Sequence, residues 1–102
     1  MAITQAAVGT SSTVIYTSSG DSATTAVFLM NNNASARTVQ IHVVPSGGSA
    51  SANTQIIKDL SIDGADTYVI NTEKIVLSNG DTIQVTSSDA SSIFATVSHV
   101  SL

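Results

Sequence analysis

Apolar and polar residues alternate in short runs along the chain, with the two-residue period of a β-strand that is buried on one side. In the clearest run, residues 38–44, the pattern predicts that Val39, Ile41 and Val43 face a core while His42 faces away. Further runs, rich in β-branched or aromatic residues, predict strands at residues 12–17, 24–30, 54–62, 66–70, 74–77, 82–87 and 92–100.

The connections between these runs favour a sandwich of short strands. Residues 54–62 alternate less cleanly than the others, and no stretch repeats apolar residues at the spacing of a helix. The longest connection is the Gly/Ser-rich segment 45–53, a loop that begins at Pro45. The sequence therefore predicts an all-β protein, a single antiparallel β-sandwich domain over residues 1–102, jelly-roll or immunoglobulin-like, with about eight short strands.

The tripeptide Asn79-Gly80-Asp81 lies between two predicted strands and is a strong turn signal. Asn and Gly tolerate the positive φ of a tight reversal better than other residues. We expect this structural turn to form a hairpin in which Leu77 and Ile83 lie on the same core face. The carboxylate of Asp81 is expected to bond the turn backbone rather than a ligand.

Residues 1–11 are uncharged and contain no strong strand signal. We interpret them as a flexible N-terminal arm that adds a strand to a partner's sheet, with Ile3, Gln5 and Ala7 as partner contacts; a frayed terminus is the alternative. The segment lacks the basic and apolar regions of a signal peptide, and no apolar run approaches the ~20 residues of a membrane span. We therefore expect the protein to stay soluble after synthesis.

Charged residues are scarce and mostly acidic. Three Lys and Arg against seven Asp and Glu give a net charge of −4, and only 10% of the chain is charged, against about 25% in typical domains. Ser and Thr fill 30 positions instead. Nucleic acids and anionic membranes bind through clustered cations, so neither is an expected partner. A hydroxyl-rich surface costs less to desolvate against a protein than one rich in Lys and Glu.

Candidate catalytic and metal-binding residues are present but do not form a known pattern. Ser, His and Asp occur without the nucleophile elbow G-x-S-x-G, and His42 and His99 are expected at the surface or rim. Asp59, Asp63 and Asp66 lack the spacing of a calcium loop, so a turn is the simpler reading. Cysteines and phosphate-binding glycine motifs are absent from the sequence. We expect no enzyme activity, no metal and no cofactor.

Short motifs built around turns recur in both halves of the chain. In residues 60–102 they are an ADT turn, the strand EKIVL, the turn NGDTI and a closing strand that ends in ATVS. In residues 13–48 they are a YT…G turn, a strand that ends in Asn residues, and a TV strand that ends in VPSGG. On these motifs nearly the whole chain resembles small β-sandwich virion structural proteins of tailed bacteriophages, including marine, cyanophage-like ones.

The resemblance implies a protein that is made in the host cytoplasm and assembled onto the virion in many copies, without active-site residues. The leading expectation is a capsid decoration or cement protein that stabilises the shell, with other virion proteins, above all the major capsid protein, as partners. Uncharged edge strands need cover, which a second copy of the chain can supply. We therefore expect a homo-oligomer, and by analogy with decoration and fibre proteins a trimer.

The alternative is a tail, neck or fibre module that attaches to a host-surface polymer. Sugar-binding sites use exposed aromatic rings, and Tyr16 and Tyr68 are the candidate glycan platforms. All four aromatic residues lie within the strand patterns, however, and core packing is the simpler expectation for them: Tyr16, Phe28, Tyr68 and Phe94.

Overall fold

A computed structural model describes residues 2–71 and 74–102, and in these residues nine strands form two antiparallel sheets. The strands are β1 (Ala2–Val8), β2 (Thr13–Thr17), β3 (Ser22–Asn31), β4 (Arg37–Val44), β5 (Gln55–Ile62), β6 (Thr67–Ile70), β7 (Val76–Leu77), β8 (Thr82–Ser87) and β9 (Ile93–Ser101). The described part of the chain contains no helix that is long and apolar enough to cross a membrane.

The two sheets pack face to face as a β-sandwich. Sheet A has the order β1-β9-β3-β6, and β7 pairs with β3 on the same side as β6; sheet B has the order β2-β8-β4-β5. The predicted all-β fold, a single antiparallel sandwich, is confirmed. Eight strands match the predicted runs within two residues at each end, and the ninth, β1, was not predicted.

Strand β1 stands where the sequence suggested a flexible arm over residues 1–11. It pairs antiparallel with β9 in an unbroken register, from Ala2 opposite His99 to Val8 opposite Ile93. Val8 is 1% exposed and belongs to the core. The arm prediction was wrong because Ala and Gln give little strand signal and because the pairing partner lies at the other end of the chain.

The core between the sheets is almost entirely aliphatic. Alternating strand positions supply it, and each fully buried Val, Leu or Ile contributes about 1.5–3 kcal/mol of burial free energy. Its fully buried members are Val8, Ile15, Tyr16, Val27, Leu29, Val39, Ile41, Ile62, Leu77, Ile83, Val85, Ile93, Ala95 and Val97.

Two β4 side chains on the outer side of sheet B are buried although the alternation places them at the surface. His42 is only 8% exposed, and its Nδ1 lies 3.0 Å from Thr54 Oγ1. Val44 is buried as well. The surface prediction for His42 was wrong because the loop that follows β4 folds back on this strand: the Val43 N–H donates to the Thr54 carbonyl at 2.9 Å.

The irregular alternation of β5 comes from a β-bulge against β4. Leu60 lies opposite Val39 and Ile57 lies opposite Ile41, so β5 has one more residue than β4 between these pairs. Ile57 and Leu60 therefore both pack against the core, while Ile56 is exposed on the outer side.

Candidate protein-interaction surface

The outer face of sheet A, named the outer A face here, exposes large apolar side chains. Along β3, the buried Val27 and Leu29 alternate with the exposed Phe28 and Met30. Successive strand residues point to opposite faces, so Phe28 and Met30 project away from the core. These two side chains form the centre of an apolar surface.

Strand register extends this surface across the sheet. Met30 lies opposite Phe94 on β9, and Phe28 lies opposite Val69 on β6. The two pairs occupy neighbouring rows of the same face and are within contact reach of each other. Of the ten exposed large apolar residues in the described part of the chain, six lie on the outer A face: Ile3, Phe28, Met30, Val69, Val76 and Phe94.

Fixed charges are missing from the strands of sheet A, none of which contains Asp, Glu, Lys or Arg. Charged strand residues lie in sheet B instead, namely Arg37 on β4 with Lys58 and Asp59 on β5. The polar groups of the outer A face are the Gln5 amide and hydroxyls, some of which bond one another, such as Thr25, which donates to Ser98 at 2.7 Å. Depletion of charge together with Phe and Met is typical of the centre of a protein–protein interface.

The outer A face is close in size to one side of a standard protein–protein interface. The ten residues of β3 span about 33 Å, and four strands about 4.8 Å apart span about 19 Å. The projected area is about 600 Å², and the relief of the side chains adds to it. A standard interface buries about 800 Å² on each partner.

Strand β1 borders the outer A face as a free edge of sheet A, and it contains the three residues that the sequence analysis proposed as partner contacts. Ile3, Gln5 and Ala7 all point outwards, and Ile3 is 64% exposed. A shallow depression lies on the outer A face beside them. It is lined by Gln5, Ala6, Ala7, Phe94, Ala95 and Thr96.

The Asn79-Gly80 turn joins the two sheets rather than two strands of one hairpin. Strand β7 pairs with β3 in sheet A, whereas β8 belongs to sheet B, so the hairpin prediction was wrong. Leu77 and Ile83 do enter the same core, but from opposite sheets. Within this turn, Gly80 has a positive φ, 87°, and Asn79 does not. This is the arrangement of a type II turn with Gly at its third position.

Asp81 connects this turn to two other loops. Its Oδ2 accepts a hydrogen bond from the Ser78 N–H and its Oδ1 accepts one from the Ser46 N–H, both at 2.9 Å. Its backbone carbonyl accepts from the Ser18 N–H, also at 2.9 Å. Asp81 thus holds three loops together at one end of the sandwich, two through its carboxylate and the third through its carbonyl group.

The structure separates the two candidate glycan platforms. Tyr16 is 5% exposed, its hydroxyl donates to Ser22 Oγ at 2.8 Å, and its ring centroid lies 4.3 Å from that of His99. Tyr16 is therefore a core residue and cannot present a ring to a sugar. Tyr68 is exposed but lies opposite Leu29, which places it on the inward side of the edge strand β6 and off the outer A face.

Sequence reasoning missed the outer A face because it assigned Phe28 and Phe94 to the core. Both rings project outwards, at 38% and 36% exposure. Period-two alternation is present in the sequence AVFLM, but both alternating sets are apolar. Alternation alone therefore does not tell which set of side chains faces the core.

The remaining polar clusters are structural hydrogen bonds. His99 Nε2 lies 3.1 Å from Thr4 Oγ1. Oδ2 of Asp89 accepts from the Ser92 hydroxyl at 2.8 Å and from Arg37 Nε at 3.2 Å. These two donors, the hydroxyl first, hold the pKa of the Asp89 carboxyl below its usual value. Residues 2–71 and 74–102 contain no group of three His, Cys, Asp or Glu that could hold a metal ion.

Comparison of the chain with protein-family models, with curated proteins and with solved structures gave no match.

Proposed function

We propose that this protein is a virion structural protein of a tailed phage, a capsid decoration protein that binds the shell through the outer A face. The observation that carries the proposal is the apolar surface around Phe28, Met30, Phe94 and Val69, on strands that contain no Asp, Glu, Lys or Arg. The motifs shared with small phage virion proteins supply the class of particle.

The chemistry of this surface favours a protein partner such as the major capsid protein. Burying Phe and Met side chains yields about 25 cal/mol for each Å² of apolar area. Burying hydroxyls that already bond each other, as Thr25 and Ser98 do, carries little desolvation cost. Strands that contain no Asp, Glu, Lys or Arg also avoid the penalty of leaving a buried ion unpaired at their own positions.

Attachment to a host polymer through a tail, neck or fibre module has weaker support. That reading depends on exposed aromatic platforms, and Tyr16 is buried. Tyr68 lies at the sheet edge, without a neighbouring exposed ring in its register position opposite Leu29. The decoration role depends on neither tyrosine.

Immunogold electron microscopy of the phage that encodes the chain tests the location. An antibody against the purified protein is applied to intact particles, and gold spread evenly over the head is the expected result. Gold confined to the tail, neck or fibres would favour the attachment role instead. Particles without gold, from a preparation in which the antibody detects the protein in infected-cell lysate, would contradict a virion location.

An add-back experiment tests the surface. Particles that lack the protein are mixed with purified wild type, Phe28→Glu or Ile56→Glu, and bound protein is measured after sedimentation. Phe28→Glu places a charge in the outer A face and is expected to weaken binding at least tenfold. Ile56→Glu is the matched control, an exposed apolar residue on the outer side of sheet B. Equal loss for both variants would contradict binding through the outer A face.

A further inference from the structure

Three of the four sheet edges have features that hinder pairing with another chain. Strand β2 has a register shift between Val14 and Tyr16. Strand β5 has two register shifts and carries Lys58 and Asp59. The remaining edge of sheet A consists of β6 and β7, which have only four and two residues. Bulges, charges and short strands are the devices by which proteins prevent edge-to-edge association.

Strand β1 has none of these devices. It has seven residues, no charge and no proline, and its register with β9 is unbroken. In an edge strand every second residue directs its N–H and C=O away from the only neighbouring strand. A strand from another chain can pair with these backbone groups, and β1 is long and regular enough to accept such a strand.

The residues of β1 are complementary to a second, antiparallel β1. Directly opposed residues of an antiparallel pair lie on the same face of the sheet. When a two-fold axis perpendicular to the sheet relates the two strands, one residue must therefore lie opposite its own copy, and the axis passes between them. The register that overlaps all of Ala2–Val8 places the axis at Gln5, opposite the partner's Gln5. In this register Ile3 lies opposite the partner's Ala7.

Across this axis, a large side chain of one copy faces a small side chain of the other. Ile3 is a large side chain that is 64% exposed, and Ala7 borders the shallow depression of the outer A face beside Phe94. An Ile3 side chain of one copy therefore meets the small Ala7 side chain of the other and the depression beside it. The two-fold axis repeats the same contact a second time.

We propose that β1 is a homodimerisation edge at which two copies of this chain pair β1 with β1, in the register centred on Gln5. Their A sheets then form one continuous sheet, and Ile3 of each copy occupies the depression beside Ala7 of the other. The outer A face stays free and doubles in extent. This inference does not depend on the virion assignment.

The size of the contact predicts a weak dimer. A seven-residue strand is about 23 Å long. One strand pair with its flanking side chains covers less than the ~800 Å² per partner of a standard interface, so a dissociation constant in the micromolar range or weaker is expected. Such a dimer is populated only where the concentration of the chain is of the order of that dissociation constant or higher.

Sedimentation velocity over about 1 µM to about 1 mM protein tests the dimer and its axis. The wild type is expected to shift from monomer to dimer with concentration. Gln5→Lys and Gln5→Glu place like charges opposite each other and should each weaken the dimer at least tenfold, whereas an equimolar mixture of the two should restore it. Thr67→Lys, on the opposite edge of sheet A, is the control and should dimerise like the wild type.

Cysteine cross-linking tests the register, because the chain has no cysteine of its own. Opposed residues of an antiparallel pair have Cα atoms about 4.5–5.5 Å apart, within disulfide range. Gln5→Cys should therefore form a disulfide-linked dimer under mild oxidation. Ile3→Cys alone should not, because its two copies lie about 13 Å apart, but a mixture of Ile3→Cys and Ala7→Cys should.

Several outcomes would overturn the proposal. A wild type that stays monomeric up to about 1 mM excludes the dimer, and a trimer, the state expected by analogy, excludes the two-fold axis. A charge-swapped mixture that stays monomeric excludes a contact at Gln5. So does Gln5→Cys if it cross-links no more than Thr67→Cys. A dimer lost in Phe28→Glu but kept in both Gln5 variants would move the contact to the outer A face.

Discussion

Asp81 connects three loops through one carboxylate and its own carbonyl group. Asp81→Ala removes the acceptors of the Ser78 and Ser46 N–H groups. A hydrogen bond to a charged group contributes about 1.5–3 kcal/mol, and partial exposure lowers this contribution. We therefore expect the free energy of unfolding to fall by about 2 kcal/mol. Urea unfolding measures the change. Asp21→Ala, at an exposed aspartate, is the control and should change the free energy of unfolding by less than about 0.5 kcal/mol. A loss in Asp81→Ala that is no larger than the loss in this control would mean that the loop contacts contribute nothing.

At Asp89, the Ser92 hydroxyl and the Arg37 guanidinium lower the pKa of the carboxyl from 3.8. A carboxyl whose pKa is lower in the folded state stabilises the fold above its unfolded-state pKa, and this contribution disappears as the pH falls through the folded-state pKa. Urea unfolding between pH 6 and pH 2 should therefore show a smaller acid-induced loss of stability in Asp89→Asn than in the wild type. Identical slopes below pH 4 would contradict this role of Asp89.

Among the elements, β1 has two faces with different tasks. Val8 points into the core, and Val8→Ala should lower the free energy of unfolding by about 2 kcal/mol, from lost burial and the cavity left behind. Ile3→Ala removes an exposed side chain and should cost less than about 0.5 kcal/mol at concentrations where the protein is monomeric. Chemical denaturation of both variants checks this. A large loss in Ile3→Ala would show that this residue is needed for folding rather than for association.

The strands differ in how far the sequence predicts them. Residues 82–87 and 38–44 have β-branched residues in alternation, and both runs match β8 and β4 closely. Strand β1 has no such signal, because its alternating residues are Ala, Gln and Thr with a single Ile. Its place in sheet A results from pairing with β9, which no local pattern contains.

The candidate surface was predictable only in part. Absence of charge in the strand runs is visible in the sequence, and so is the outward set Ile3, Gln5 and Ala7 once β1 is a strand. The exposure of Phe28 and Met30 is not, because they alternate with Val27 and Leu29, and either pair could have faced the core. Which pair is buried depends on the position of sheet B, a contact between distant segments.

At the scale of the whole molecule, charge is distributed unevenly between the two sheets. Every charged strand residue in the described chain lies in sheet B, on β4 or β5. The strands of sheet A contain no Asp, Glu, Lys or Arg. This arrangement is compatible with the proposal that a partner covers sheet A while sheet B faces the solvent. The free β1 edge adjoins the uncharged side, so pairing at β1 and binding through the outer A face are compatible.

Hydrogen exchange should follow the position of each strand in its sheet. Strands β9, β3, β8 and β4 each have neighbours on both sides, so their amides should be the slowest to exchange, and those of β1 and β5 faster, since edge strands open at lower free energy. Exchange measured by NMR at low protein concentration checks this order. If β1 pairs with a second copy, alternate β1 amides should also gain protection as concentration rises, whereas β5 amides should not change. Protection of β1 equal to that of β9 in the monomer would contradict a free edge.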